Sequence, residues 1–210
     1  TKAVQTQISS LGSNLLMVRP GQRLGAGRGS AGAPWFSVGD VQAITAQIGG
    51  VAAAAPEVRS GVSAVAGARN WSTSVVGTTA DYFDIGNWRV DAGRIFEPSE
   101  ERAGAAVCLI GATGKRELFR AGATPLGEAL RLKQFSCEII GVLAAKGQAA
   151  MGMDQDDSVV LPLRTVQRRV TGSTRINTLL VSMREGSDAG AVTASLRRLL
   201  RERRKLGPEE

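Results

Sequence analysis

Histidine is absent from this sequence of 210 residues, and cysteine occurs only twice. Without histidine, neither a Ser–His–Asp triad nor a Cys–His pair can be assembled, and two cysteines alone make a poor zinc site. Aromatic residues make up 4% of the chain, which leaves few platforms for stacking nucleic-acid bases. Long apolar runs are missing as well. None approaches the roughly 20 residues that span a bilayer, and the longest candidate, VAAAAP at 51–56, ends at proline. No charged, apolar and small-residue leader opens the chain. Thr1 is not an initiator, so the expectation is a piece of a longer protein.

What is present suits one or two mixed α/β domains. There are 26 glycines and 7 prolines, enough for many turns without the bias of a disordered chain. Net charge is +7, which makes nucleic acid the first partner to test. Much of that excess sits in two arginine-rich helical patches, at 164–169 and 197–205. No aromatic residue interleaves with either, so both read as solvated or lipid-facing helices and nucleic acid is not an expected partner. Cys108 and Cys137 each lie inside an apolar, strand-like run. They read as two buried thiols, with a disulfide as the alternative.

Along the chain, Val4, Ile8, Leu11 and Leu15 are spaced by four, three and four, which predicts one face of a membrane-proximal helix over 1–13. LLMVR at 15–19 reads as a strand, followed by a Gly-rich loop at 21–34 that carries Arg23 and Arg28. The GAGRGS within it lacks the last glycine of a dinucleotide fingerprint. A helix is expected over 38–48 with Ser37 as N-cap. Strands follow at 51–58, 61–68 and 71–79, then a short helical turn and loop at 79–96 holding four of the nine aromatics. Asp81, Asp84 and Asp91 have no positioned partner there that would make them an acid–base pair.

The stretch VCLIGATGKRELF at 107–119 invites comparison with a phosphate-binding loop, G-x-x-x-x-G-K-[ST]. Leu109 stands where the first glycine belongs and Arg116 where Ser or Thr would hold magnesium, so the comparison fails. A strand at 105–110, a turn and a helix burying Leu118 and Phe119 remain. Two strands at 130–147 turn near 133–135. MGMDQDD at 151–157 lacks the ligand spacing and closing glutamate of a calcium loop. It reads as an exposed, mobile acidic loop, with Met151, Asp154 and Asp156 as candidate partner contacts beside Arg23 and Arg28. A strand at 158–163, a basic helix, a strand at 176–184 and a helix from about 187 complete the pattern. That last helix places Val192, Leu196, Leu199 and Leu206 on one side.

Several of these pieces together resemble the extracytoplasmic core domain of MacB-like ABC transporter permeases (the MacB/LolC/LolE/FtsX superfamily). They are ISSLGSNLLMVRPG, SVGDVQAI, VVGTTADYFDIGNWRVDAGRIF, the stretch from VCLIG to FSCEIIGVLAAKG, and DDSVVLPLRTVQRRV. The likeness covers about residues 5–205. It departs where the family often carries histidine near the end of the last helix and this chain has Arg203-Arg204.

The resemblance implies an α+β fold in two lobes. A porter-like β-α-β lobe would form from 14–59 and 175–210, with a sabre-like lobe inserted at 60–174. It implies a non-catalytic domain without cofactor, periplasmic, in a bacterial inner-membrane permease that exports antibiotic or peptide or extracts lipoprotein. Implied partners are an ABC nucleotide-binding domain, a second permease copy, a periplasmic adaptor and an outer-membrane channel. The apolar face of Val4, Ile8, Leu11 and Leu15 would then transmit motion from a membrane helix, the alternative being that it only packs on its own domain. The alternative is a free-standing periplasmic interaction module.

Overall fold

The computed structural model describes residues 6–11, 14–21, 35–147 and 154–205. In chain order these form β1 (Gln7–Ser10), β2 (Leu15–Arg19), α1 (Val38–Gln47), β3 (Val51–Ala66) and β4 (Arg69–Thr78). Next come α2 (Asp81–Ile85), β5 (Val90–Gly93), α3 (Pro98–Ala103), β6 (Val107–Ile110) and α4 (Ala112–Leu118). The remainder is β7 (Ala129–Leu132), β8 (Phe135–Leu143), β9 (Ser158–Pro162), α5 (Leu163–Val166), a π-helical turn (Gln167–Thr171), β10 (Thr178–Met183) and α6 (Ala189–Lys205). The fold is mixed α/β, as the sequence pattern predicts.

Two compact units divide the chain. One consists of Thr1–Pro56 and Arg175–Glu210, the other of Glu57–Thr174. The first boundary falls three residues before the one drawn at 59–60 from sequence. It lies inside β3, because the expected strands at 51–58 and 61–68 form one continuous 16-residue strand.

In the discontinuous unit, β1 pairs with β2, β2 with β10, and β10 with β3. Leu16 and Val18 of β2 are buried opposite Val181 and Leu179 of β10. α1 starts where Ser37 predicts. The Ser37 hydroxyl accepts from the Asp40 amide at 3.3 Å, and the Asp40 carboxylate accepts from the Ser37 amide at 2.8 Å, a reciprocal cap. Ala43 and Ile44 are its buried residues. α6 buries Val192, Leu196, Leu199 and Leu200, each worth roughly 1.5–3 kcal/mol. Leu206 lies outside the described residues.

The helix expected over 1–13 is a correction. Ile8 lies in β1 opposite Val18, Leu15 opens β2, and Leu11 stands 49% exposed between them. Val4 lies outside the described residues. The apolar spacing fits a helix, but a segment this short nucleates a helix poorly by itself. Pairing with β2 satisfies the backbone groups on one side of β1 without that cost, and the Leu11 amide closes the connection on the Leu15 carbonyl at 2.8 Å.

In the inserted unit the strand ladder returns on itself. β3 pairs with β4, β4 with β9, β9 with β6, β6 with β8, β8 with β7, and β7 with β3 through Ala64↔Leu132 and Val65↔Arg131. Six strands thus form a small closed barrel, and closure removes the open edges that invite aggregation. β5 pairs with the far end of β8. Leu130, Leu132 and Cys137 alternate with exposed neighbours, Ile139 follows exposed Glu138, and all four are almost fully buried, so they fill the interior.

Cys108 on β6 and Cys137 on β8 are joined by a disulfide between these adjacent strands. The reading as separate buried thiols is therefore corrected. Both runs are apolar as expected, but the pairing of β6 with β8 brings their Cα atoms to 5.9 Å, within bridging range. Pro98–Ala103 is an additional helix. Pro98 starts it, Glu97 and Glu100 cap it reciprocally, and Gly104 ends it in the left-handed region.

Candidate functional site

The glycines and threonine of GATGK serve a protein turn. A side chain at Gly111 would place its Cβ 2.2 Å from the Asp156 carbonyl oxygen, so only glycine allows residues 154–158 to lie against the start of α4. The Gly111 amide donates to the Ser158 carbonyl at 2.9 Å and the Thr113 amide to the Asp156 carbonyl at 3.2 Å. The Thr113 hydroxyl donates to the Asp154 carboxylate at 2.5 Å. Two of the backbone donors that a phosphate would need, the Gly111 and Thr113 amides, are thus taken by the chain itself. Gly114 packs on Ile110, and the following helix buries Leu118 while Phe119 stays half-buried.

The same geometry corrects the mobile acidic loop. Asp156 is 6% exposed, and its two carboxylate oxygens accept from the Lys146 amide at 2.7 Å and the Gly147 amide at 2.8 Å. Asp157 accepts from the Trp71 indole at 3.0 Å and the Thr73 hydroxyl at 2.7 Å. Asp154 is exposed but bonded to Thr113 and to the Asp156 amide. Short acidic side chains in a turn find backbone N–H groups as readily as they find partners. Of the five loop residues singled out from sequence, Asp154 and Asp156 therefore tie the turn together. Arg23, Arg28 and Met151 lie outside the described residues.

The four aromatics at 79–96 form a connected cluster. Tyr82 stacks on Trp88 with ring centres 6.4 Å apart, and Phe83 meets both Tyr82 and Phe96 edge to face. The Lys146 ammonium lies 4.2 Å above the Trp88 ring, which covers that face, and it donates to the Gly86 carbonyl. Glu57, 7% exposed, is paired with Arg59 at 2.7 Å. Burial, with Glu57 adding to it, pushes the Tyr82 phenol up to about 12. Burial and the neighbouring Asp84 raise the Asp81 carboxyl, and burial raises Glu101, whose carboxylate accepts from the Ala80 amide. Asp81 thus faces another acid, Asp84, and Glu101 a backbone amide, while Glu57 is held by Arg59. Among the described residues, no group of three or more Cys, Asp or Glu side chains is placed to hold a metal ion.

In the discontinuous unit α6 meets the segment that leads into β1. The Arg197 guanidinium donates to the Thr6 carbonyl, tying α6 to the residue before β1. Arg203 of α6 pairs with Asp40 of α1 at 2.6 Å, which adds a second restraint on the same helix. Sequence reading placed the link between chain end and domain in an apolar helix at the N-terminus. The structure instead provides a strand held by an arginine from α6. The basic patch at 197–205 was visible in the sequence, but not its use as a clamp.

These observations describe a two-unit α/β domain whose charged groups largely hold its own turns, caps and chain ends together. Residues 1–199 match the model of the MacB-like periplasmic core domain, and the chain belongs to that family. It is 36% identical over 178 residues to a macrolide export ATP-binding/permease protein, MacB, of Syntrophobacter fumaroxidans, covering 83% of this chain and 25% of that protein. The corresponding protein of Bdellovibrio bacteriovorus is 32% identical over 207 residues, covering 98% and 32%. This chain thus spans about a quarter to a third of the curated relatives it matches. The periplasmic region of MacB from Actinobacillus actinomycetemcomitans shares the fold with a TM-score of 0.76 at 21% identity, covering 91% of this chain and 85% of that one. The extracellular domain of the noncanonic ABC-type transporter YknZ from Gram-positive bacteria follows with a TM-score of 0.68 at 18% identity, covering 80% and 83%.

Proposed function

We propose that this chain is the extracytoplasmic domain of an ABC transporter permease and that it works mechanically, making and breaking no bonds. ATP hydrolysis in a cytoplasmic domain or subunit would move membrane helices. Those helices would move this domain, paired with a second copy, and so pass substrate onward on the outer side of the inner membrane. The discontinuous unit would be the porter-like lobe and Glu57–Thr174 the sabre-like insertion. A macrolide, a peptide or a lipoprotein is the substrate class, and an adaptor with an outer-membrane channel is the partner on the far side.

The observation that supports this reading is that the segments before Glu57 and after Thr174 form one unit, with Arg197 tied to Thr6. A pull on either segment loads the same body. The four buried apolar side chains of α6, at roughly 1.5–3 kcal/mol each, oppose peeling of that helix from the unit. The Cys108–Cys137 disulfide supports an oxidising compartment, since such bonds are rare in the reducing cytosol.

Two experiments test the proposal. In cells carrying the parent chain, Ser136→Cys adds an exposed thiol on β8. A membrane-impermeant maleimide should label it without lysis; labelling only after lysis would place the domain on the wrong side. In the complete transporter, Arg197→Ala with Arg203→Ala releases the α6 clamp. Export should drop while ATP hydrolysis continues, and unchanged export would overturn the mechanical reading.

A further inference from the structure

In the inserted unit, α5 runs into the π-helical turn Gln167–Thr171, and Gly172 ends it in the left-handed region at φ 65°. Arg164 and Arg168, four residues apart, emerge there beside the end of α3. One guanidinium nitrogen of Arg164 donates to the Arg102 carbonyl at 2.7 Å, and one of Arg168 donates to the Ala103 carbonyl at 3.3 Å. Gly104 makes this approach possible, because a Cβ there would lie 3.1 Å from the Arg168 guanidinium and 3.3 Å from the Arg164 Cβ. The Thr165 hydroxyl anchors the turn to the Ala105 carbonyl at 2.8 Å, and the Gln167 amide holds the Thr174 carbonyl at 3.2 Å.

A cleft of about 450 Å³ opens at this place, lined by Arg164, Gln167, Arg168, Gly172, Ser173 and Thr174. No carboxylate lines it. The nearby acids of α3 are engaged elsewhere, Glu100 with Arg94 and Glu101 with the Ala80 amide. None of the ion pairs among the described residues includes Arg164 or Arg168. Like charges four apart on a helix are locally unfavourable, and among the described residues no ion pair relieves them. The α3 carbonyls fix both guanidiniums while using one nitrogen of each. The remaining forked N–H groups point to a planar oxyanion, which a guanidinium binds with two parallel hydrogen bonds.

We propose that this cleft docks an acidic polypeptide segment of a partner protein, with Asp or Glu carboxylates seated on Arg164 and Arg168. Charge complementarity selects the acid. The uncharged lining, Gln167, Ser173 and Thr174, suits the amides of a peptide. A lipid surface fits less well, because binding in the headgroup layer needs apolar side chains to insert. The exposed large hydrophobics among the described residues, Leu11, Trp35 and Val38, are all outside the cleft. The inference does not depend on the transport reading above.

The test uses the 210-residue chain and a fluorescein-labelled hexaglutamate peptide, followed by anisotropy at low salt, with hexaserine as control and folding of each variant checked by circular dichroism. Arg164→Ala with Arg168→Ala should weaken hexaglutamate binding at least about tenfold. Arg69→Ala with Arg131→Ala removes the same net charge from exposed positions of the same unit and should change it less than about twofold. Arg164→Lys with Arg168→Lys keeps both charges and a donor for each α3 carbonyl, so it guards against misfolding of the alanine variant. It should bind at intermediate strength. Equal weakening by the two alanine pairs would reduce the effect to net charge and overturn the proposal. So would absence of hexaglutamate binding, or loss of binding to phosphatidylglycerol vesicles in the Arg164/Arg168 alanine variant with hexaglutamate affinity unchanged.

Discussion

Removing the Cys108–Cys137 bridge should loosen the inserted unit by a calculable amount. The bond closes a sequence separation of 29 residues. In the chain-entropy description, opening such a loop restores about 12 cal/mol/K to the unfolded chain, or about 3.6 kcal/mol near room temperature. A small unit loses roughly 1–3 kcal/mol of stability per molar urea. The urea midpoint of the reduced chain should therefore fall by roughly 1–4 M. Trp71 and Trp88 belong to the inserted unit and Trp35 to the other, so Trp35→Phe leaves fluorescence that reports the inserted unit alone. The measurement compares that chain with and without dithiothreitol, and with Cys108→Ala/Cys137→Ala. The double variant should match or fall below the reduced chain, because it also removes two buried sulfur atoms from the barrel interior. If the oxidised and reduced chains unfold at the same urea concentration, the barrel does not depend on the staple. If the unreduced chain in denaturant shows two titratable thiols, the bridge itself is wrong.

Tyr82 is the one tyrosine of the chain, so tyrosinate absorbance reads it directly. Its folded value of about 12 lies above the unfolded value of 10.0. A raised folded value means stability is fully present below pH 10 and is lost as pH rises towards 12, by about 3 kcal/mol at most. Tyr82→Phe should remove that alkaline loss, and a tyrosinate midpoint near the unfolded value would refute the burial argument. Gly111→Ala should destabilise strongly in a thermal melt, because its Cβ meets the Asp156 backbone at 2.2 Å, whereas Gly61→Ala, with open space around it, should cost little. Asp156→Ala leaves the Lys146 and Gly147 amides without their acceptor and should cost about 2–4 kcal/mol in urea unfolding. A near-neutral result would return that residue to the exposed acidic loop read from sequence.

Local signals in the sequence were reliable where the interactions are local. Ser37 three residues before Asp40 marks the start of α1, and both partners of that cap are within one turn. The turn between β7 and β8 falls at Lys133, which takes φ 54°. Val192, Leu196 and Leu199 are buried on α6 at the spacing read from sequence. The N-terminal spacing misled for a related reason. Apolar residues at positions 4, 8, 11 and 15 suit a helix, yet β2 lies only a few residues away and offers a complete ladder. Asp156 misled because an acidic turn looks solvent-seeking until its backbone partners, Lys146 and Gly147, are brought to it.

By itself the sequence determined the broad class, the capped and amphipathic helices and most strand positions, since those depend on side chains within a turn or on alternating neighbours. It also excluded histidine chemistry and a phosphate loop through residues that are missing. Only tertiary structure decided the closing of the barrel by β7 on β3, the joining of Cys108 to Cys137 and the clamp of Arg197 on Thr6. Each of these links positions at least 29 residues apart. Such contacts form only when the rest of the fold brings the two ends together, and no local pattern records the partner.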